Sequence, residues 1–289
     1  MKVRKAVITA AGYGTRFLPV TRSQPKEMLP LINKPLIQYS VEEAINSGIE
    51  QIIMVTSLGK RAIEDYFDRA FELESFLERK GHTALVKQMR EISNMIDICY
   101  IRQKEQLGLG HAILTARNMV GEEPFVVILP DDIIDCPVPC LKSMIEVYDK
   151  YGASVLAVEK VNDEDTKKYG IIEPVKVKDS ERVYEVLSLV EKPETAKAPS
   201  RLGIVGRYIL TPEIFDVIKA TPAGKGGEIQ ITDALQRLLK QQKLYAYELE
   251  GTRHDTGVPL GWLKANIALG LKHPELGPEL RRYMKEMLG

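Results

Sequence analysis

The sequence predicts an α/β fold, doubly wound around a mostly parallel sheet, and three observations carry that reading. Short β-rich runs alternate with segments whose apolar residues recur at helical spacing. The first complete unit is strand, helix, strand, an order that joins parallel neighbours through a crossover. The first strand also runs into a glycine-containing turn, and in open parallel sheets ligands sit at the carboxyl ends of strands.

Residues 3–9 form the first strand. Pro35 then stands at a first helical position, Ile37, Val41, Ala44 and Ile45 share one helix face, and Gly48 supplies the stop. Residues 51–57, QIIMVTS, read as a buried strand. A charged helical region follows at 61–96, broken near Gly81, with Ile63, Tyr66, Phe67, Ala70 and Phe71, then Leu85, Met89, Ile92 and Met95, as apolar stripes. A helical hairpin on the sheet edge is expected there. Residues 98–102 are strand-like, 111–118 form a short helix behind Gly108 and Gly110, and 125–129 are a β-rich run ending in Pro130, Asp131 and Asp132. The alternation continues with a helix at 141–148, a strand at 153–161, paired strands near 171–177 and 183–190, and a strand at 203–210. From Thr232 the chain is mainly helical, with a strand-like run at 245–249. There is no internal repeat and no low-complexity linker, so residues 1–289 are expected to form a single domain. Within it lie a helical insertion at about 61–96 and a helical C-terminal tail at about 257–289.

Composition narrows the partners. The chain has 289 residues, 44% of them hydrophobic, enough for a large core. Forty Lys and Arg balance forty Asp and Glu, so no global charge favours nucleic acid or an anionic membrane, and an anion site must be built locally. Cys99, Cys136 and Cys140 are too few and too unevenly placed for a disulfide framework. The string CPVPC has no second ligand pair, so reduced thiols are expected rather than zinc. No run is apolar and long enough to span a bilayer, and MKVRKAVITAAG leads straight into the first strand, so a cytoplasmic location is expected.

The chemistry gathers in residues 7–31, VITAAGYGTRFLPVTRSQPKEMLPL. The turn Ala10, Ala11, Gly12, Tyr13, Gly14 lets backbone N–H groups approach an anion without side chains in the way. Arg16 offers a planar fork to phosphate oxygens, and Lys26, between Pro25 and Pro30, a mobile point charge. Read alone, a Gly-x-Gly after a strand is as well explained by a plain turn with solvated cations. Phe17 stands where the dinucleotide fingerprint needs a small residue, and the P-loop Gly-Lys-Ser/Thr is absent. Two adjacent carboxylates on an extended chain point to opposite sides, so at most one of Asp131 and Asp132 is a candidate ligand for a hard cation; a turn or helix cap is the plainer use of such a pair. Likewise Glu191-Lys192-Pro193 alone is ordinary solvated sequence, Gln103 an ordinary strand end, and Thr232 an ordinary helix N-cap. The four histidines, at 82, 111, 254 and 273, are scattered, and none is assigned a proton-transfer role.

As a whole, AAGYGTRFLPVTRSQPKEMLPL resembles the signature of sugar-phosphate nucleotidyltransferases: a GxGTR loop, a Pro-Lys and a Leu-Pro. Further strings follow in family order over nearly the full length: IRQKEQLGLGHA, LPDD, VEKP, GGEIQITD and HDTG. The resemblance implies a Rossmann-like nucleotidyltransferase fold and an enzyme. It implies that Ala10, Ala11, Gly12, Gly14 and Thr15 hold the nucleotide with Gln103 and Gly108, while Gly170, Glu191, Lys192 and Glu228 hold the sugar phosphate. Asp131 would ligate Mg²⁺, with Asp255 of HDTG as a second ligand, and Arg16, Lys26, Asp131 and Lys192 would form the catalytic set. The variant FLPVTRSQPKEMLPL is most similar to members that convert UTP and glucose-1-phosphate into UDP-glucose and pyrophosphate, and a homo-oligomer is expected. Sugar 1-phosphate already carries an anionic oxygen, so this chemistry needs positive charge and alignment rather than a Ser, Cys or His nucleophile. The rival readings are the same chemistry with dTTP or another sugar 1-phosphate, a non-catalytic nucleotide-sugar sensor, and a nicotinamide oxidoreductase, the last disfavoured by Phe17.

Overall fold

The computed structural model describes residues 1–289, the side chain of Lys225 excepted. In chain order its strands are β1 (Lys5–Thr9), β2 (Pro30–Leu31), β3 (Lys34–Pro35), β4 (Gln51–Thr56), β5 (Asp97–Arg102), β6 (Phe125–Ile128) and β7 (Asp132–Asp135). They continue as β8 (Val155–Lys160), β9 (Gly170–Lys176), β10 (Val183–Glu191), β11 (Leu202–Leu210), β12 (Leu244–Glu248) and β13 (Thr252–Asp255). Nine make one sheet in the order β5-β4-β1-β6-β11-β8-β12-β10-β9, while β7 pairs with β13 and β2 with β3.

The two halves of the sheet differ in direction. From β5 through β4 and β1 to β6 every pairing is parallel, as the strand-helix-strand reading requires. Beyond β6 the sheet is mixed: β11 runs against both β6 and β8, and β10 against both β12 and β9, with β8 and β12 the one parallel pair. "Mostly parallel" thus describes the half that carries the glycine turn. The connection from Lys176 to Val183 is too short for a crossover, so β9 and β10 must form an antiparallel hairpin.

Side-chain alternation places a core on each face. Val7, Ile53, Val55, Phe125 and Val127 face one cluster, covered by the helices Leu109–Thr115, Ile214–Ala220 and Ile231–Leu238. Ala6, Ile8, Ile52, Met54, Val126 and Ile128 face the other, under Leu36–Asn46 and Cys140–Tyr151. The expected hairpin after β4 is three helices instead, Arg61–Phe67, Phe71–Arg79 and Thr83–Ser93. The break at Gly81 is where the sequence puts it; a second falls at residues 68–70, where Arg69 turns to grip Glu74.

A third, smaller cluster fixes the 7–31 stretch. Leu29, Leu31 and Leu36 pack with Ile133 and Ala265, backed by Phe17 and Trp262. Trp262 Nε1 donates to the Pro30 carbonyl at 3.0 Å, and Asn266 Oδ1 accepts from Ile32 N at 3.1 Å. The helix Pro259–Lys272 therefore clamps the loop that carries Lys26. No helix among the described residues is long and apolar enough to cross a membrane.

Candidate active site

Topology alone places the crevice. From β1 the chain winds one way, to β4 and β5, and then the other way, to β6, so the sheet opens at the carboxyl ends of β1 and β6. Those ends carry the glycine turn and Asp131. Two cavities meet there. One, of about 390 Å³, is bounded by Ala11, Gly12, Gly14 and Thr15 of the turn, by Lys26, and by Gln103, Gly108 and Glu228. The other, of about 640 Å³, is bounded by Arg16, Tyr169, Gly170, Glu191, Lys192, Arg253 and Asp255. Asp131 lines both.

Most residues singled out in the sequence therefore converge, with two displacements. Ala10 is fully buried with its N–H bonded to Val55 O at 2.8 Å, so it anchors the turn from beneath. Glu228, expected beside Gly170, Glu191 and Lys192, lies instead in the glycine-turn cavity.

At the junction, Lys26 Nζ lies 2.5 Å from Asp131 Oδ2. Burial alone would lower the Lys26 ammonium, but the Asp131 and Glu27 carboxylates outweigh it and hold it above its ordinary value. Burial alone would raise Asp131, and Lys26 and Arg16 reverse the shift, keeping this carboxylate below its ordinary range and ionised. The Asp131 main-chain carbonyl accepts from Thr256 N at 2.8 Å and Thr256 Oγ1 at 2.7 Å, which ties the end of β6 to the HDTG segment. Arg16 Nη1 donates to Gly257 O at 3.1 Å. Gly257 stands where functional side chains crowd: a Cβ there would lie 2.8 Å from Asp131 Oδ2, 3.1 Å from Asp255 Oδ1 and 3.2 Å from Arg16 Nη1, and would displace them. Two carboxylate oxygens and a guanidinium thus aim at one small space.

Asp132, the first residue of β7 after the turn at Asp131, also lines the larger cavity, but both its oxygens are taken by the protein. Its Oδ2 accepts from Gly206 N at 2.7 Å, and its Oδ1 from Arg253 Nε at 2.7 Å. Arg253 also reaches Glu159 at 2.5 Å and donates to the Tyr169 hydroxyl at 3.1 Å, its guanidinium lying 5.2 Å from that ring's centre. Burial holds the Asp132 carboxyl above its ordinary value against the pull of Arg253, the opposite of Asp131. Arg207, 1% exposed, pairs with Glu43 and donates to the carbonyls of Leu129, Gly206 and Asp132, fixing the backbone on either side of Asp131. At the start of the helix Arg61–Phe67, Lys60 meets Glu27 at 2.7 Å, both buried.

Lys192 sits at a forced bend. Glu191 pairs with Gly170 across β10 and β9, Lys192 N donates to Tyr169 O at 3.0 Å, and Lys192 itself takes φ 45°, a left-handed conformation unusual for a residue with a side chain. Its ammonium lies 2.9 Å from Glu191 Oε1 at the cavity edge.

Sequence reasoning missed Arg253, Arg207, Glu27 and Lys60. Each acts by pairing with a group distant in the chain. Glu27 lies within the quoted PKEMLPL and Arg253 beside the quoted HDTG, but neither string signals the pairing itself.

A glycine-turn cavity joined to a charged cavity at a carboxylate is the architecture of a nucleotidyl-transfer enzyme, and the chain belongs to the nucleotidyl transferase family, whose model matches residues 5–270. The resemblance read from the sequence is borne out. Over 286 residues, 99% of each chain, it is 50% identical to a UTP–glucose-1-phosphate uridylyltransferase of Staphylococcus epidermidis. It superposes with TM-score 0.85 on a UDP-glucose pyrophosphorylase complexed with UDP-glucose, at 45% identity, covering 94% of this chain and 100% of that one. A UTP-bound UGPase from Acinetobacter baumannii gives TM-score 0.91 at 40% identity, covering 98% and 99%.

Proposed function

We propose that the chain transfers a uridylyl group from UTP to glucose-1-phosphate, giving UDP-glucose and pyrophosphate. The observation that carries this is the meeting of the two cavities at Asp131, with Lys26, Arg16 and Asp255 around it. The glycine turn, Gln103 and Gly108 take the nucleotide; Gly170, Glu191 and Lys192 take the sugar phosphate; the α-phosphorus lies at the junction.

Asp131 Oδ2 and Asp255 Oδ1 flank the point a Gly257 Cβ would fill and would hold Mg²⁺ there once Lys26 and Arg16, which now face the same space, turn to the phosphates. The ion accepts one or two carboxylates and completes its octahedron with phosphate oxygens and water. Asp131 and Asp255 supply that number, and no group of three or more candidate ligands exists among the described residues. Held by Asp131 and Asp255, the ion would supply positive charge to offset the phosphate charge. The protein does the rest by position. Lys192 holds the sugar phosphate so that one of its oxygens attacks the α-phosphorus in line, forming that P–O bond as the bond to the bridging oxygen of pyrophosphate breaks. Arg16 meets the departing pyrophosphate, and Lys26, drawn off Asp131 by the triphosphate, neutralises it. No proton is transferred in this step.

The test is pyrophosphate release with UTP and glucose-1-phosphate, with and without Mg²⁺, beside a panel of other nucleotides and sugar 1-phosphates. Release with this pair, abolished by chelation, is the expected result. No release, or a clear preference for another pair, overturns the reading.

A further inference from the structure

One group beside the glycine-turn cavity has no part in that scheme: His111, on the helix Leu109–Thr115. We propose that His111 is a positioning residue that fixes the Gln103 side-chain amide in the one orientation able to accept a hydrogen bond from the base, and so favours uracil over cytosine. The inference rests on the uridylyl reading above.

Gln103 is 4% exposed, and its main-chain N–H is held by Thr56 O at 2.8 Å. Its Nε2 lies 3.2 Å from the Gly108 carbonyl oxygen and 2.9 Å from His111 Nδ1. A main-chain carbonyl only accepts, so the amide group facing it must be the NH₂. One amide hydrogen goes to Gly108 O and the other to Nδ1, which accepts when the ring proton is on Nε2. Both donors are consumed within the protein, and the carbonyl Oε1 is what Gln103 presents to the cavity. This corrects the simplest pairing for a glutamine and uracil, in which the amide would meet N3–H with its oxygen and a ring oxygen with its nitrogen; that nitrogen is already engaged.

The remaining acceptor discriminates by sign. Uracil brings N3–H to Oε1 and forms a bond, whereas cytosine brings the lone pair of its N3 and is repelled. Turning the amide over would place Oε1 against the Gly108 carbonyl, and would be met by His111 only if the ring proton moved from Nε2 to Nδ1. Without His111 only Gly108 O opposes the flip. The lock is itself braced: Gly110 N donates to Ile229 O at 3.0 Å and Ile229 N to Leu107 O at 2.8 Å, so the start of the His111 helix is stapled to the 228–229 segment. A Cβ on Gly108, at φ 94°, would stand 2.8 Å from Glu228 Cβ, so the staple closes only on glycine. Thymine shares uracil's N3–H, so this device leaves dTTP to be rejected elsewhere.

The experiment measures kcat/KM for UTP and for CTP, at saturating glucose-1-phosphate, on the full chain and on His111→Leu, His111→Asn, Gln103→Ala and the Gln103→Ala/His111→Leu double variant. His111→Leu should narrow the UTP-over-CTP ratio about tenfold. His111→Asn, whose Oδ1 takes the place of Nδ1 as acceptor, should keep the ratio within about threefold of wild type. In the Gln103→Ala background the His111 change should leave the ratio where Gln103→Ala alone puts it. If His111→Leu lowers both nucleotides by one factor, or narrows the ratio equally without Gln103, His111 does not act through the amide and the proposal falls. If Gln103→Ala retains wild-type UTP use and discrimination, the base lies elsewhere and the uridylyl site reading falls with it. Should His111→Leu not fold, His111→Ser carries the same expectation.

Discussion

The two cavities that meet at Asp131 are built from different materials. The glycine-turn side presents the main chain of the turn and the Gln103 amide, held by Ala10 on Val55, Gln103 on Thr56 and Gly108 against the 228–229 segment, with the charges of Lys26, Glu27, Asp131 and Glu228 also on its wall. The Lys192 side is walled by charge, with Arg16, Asp131, Asp255, Glu191, Lys192 and Arg253 around one space. One side selects by the direction of hydrogen bonds and the other by compensation of charge. Selectivity on the first should therefore be insensitive to salt and sensitive to single atoms, and binding on the second the reverse.

Asp131 and Asp132 give the sharpest way to break that contrast. Asp131→Asn should leave the fold intact and lower Mg²⁺-dependent turnover by about a hundredfold or more. Asp132→Asn should show its loss in stability, because Arg253 and Gly206 N lose a buried carboxylate; a cost on the order of 3 kcal/mol in urea unfolding is expected. Unchanged turnover in the first, or unchanged stability in the second, would mean the neighbours have been assigned the wrong roles. Next in size is Gly257→Ala, whose methyl group would occupy the space between Asp131 and Asp255; turnover should fall roughly tens of fold while the unfolding midpoint moves little. Lys192→Ala should raise the KM for glucose-1-phosphate about tenfold and leave that for UTP within about twofold. Equal effects on both substrates would erase the distinction between the cavities.

The smallest effect lies outside the cleft. In the helical insertion Glu74 is gripped first by Arg69 and then by Arg90, which hold its carboxyl down at about 2. A depressed acid adds stability above its unfolded pKa and loses it as pH falls through the folded value. The stability gap between wild type and Glu74→Gln should thus be full near neutrality and narrow as pH falls below about 4.5, readable by urea titration at several pH values. A gap that widens on acidification would contradict the ion-pair origin.

The strands were legible because uniformly apolar runs have few other uses in a polar chain, and Asp131 was legible because strand ends are where such folds bind. The reversal of direction after β6 was not, since an apolar run carries no arrow; only the short link from Lys176 to Val183 hinted at it. Arg253 was invisible for a different reason: its partners Asp132 and Glu159 lie 121 and 94 residues away, and nothing local to RHDTG distinguishes a buried arginine from a solvated one. His111 stands eight residues from Gln103, beyond any helical or strand spacing, and meets it only because the Gly108 turn folds the chain back.

The bend at Lys192 sets durability against activity. A side chain held at φ 45° costs the folded state about 1–2 kcal/mol relative to glycine, which the sheet must offset. Lys192→Gly should therefore unfold at higher denaturant concentration than Lys192→Ala, by up to about 1 kcal/mol after the greater freedom of glycine in the unfolded chain is counted, while both are equally impaired toward glucose-1-phosphate. A lineage screened for heat resistance alone would drift toward glycine at this position and lose its substrate.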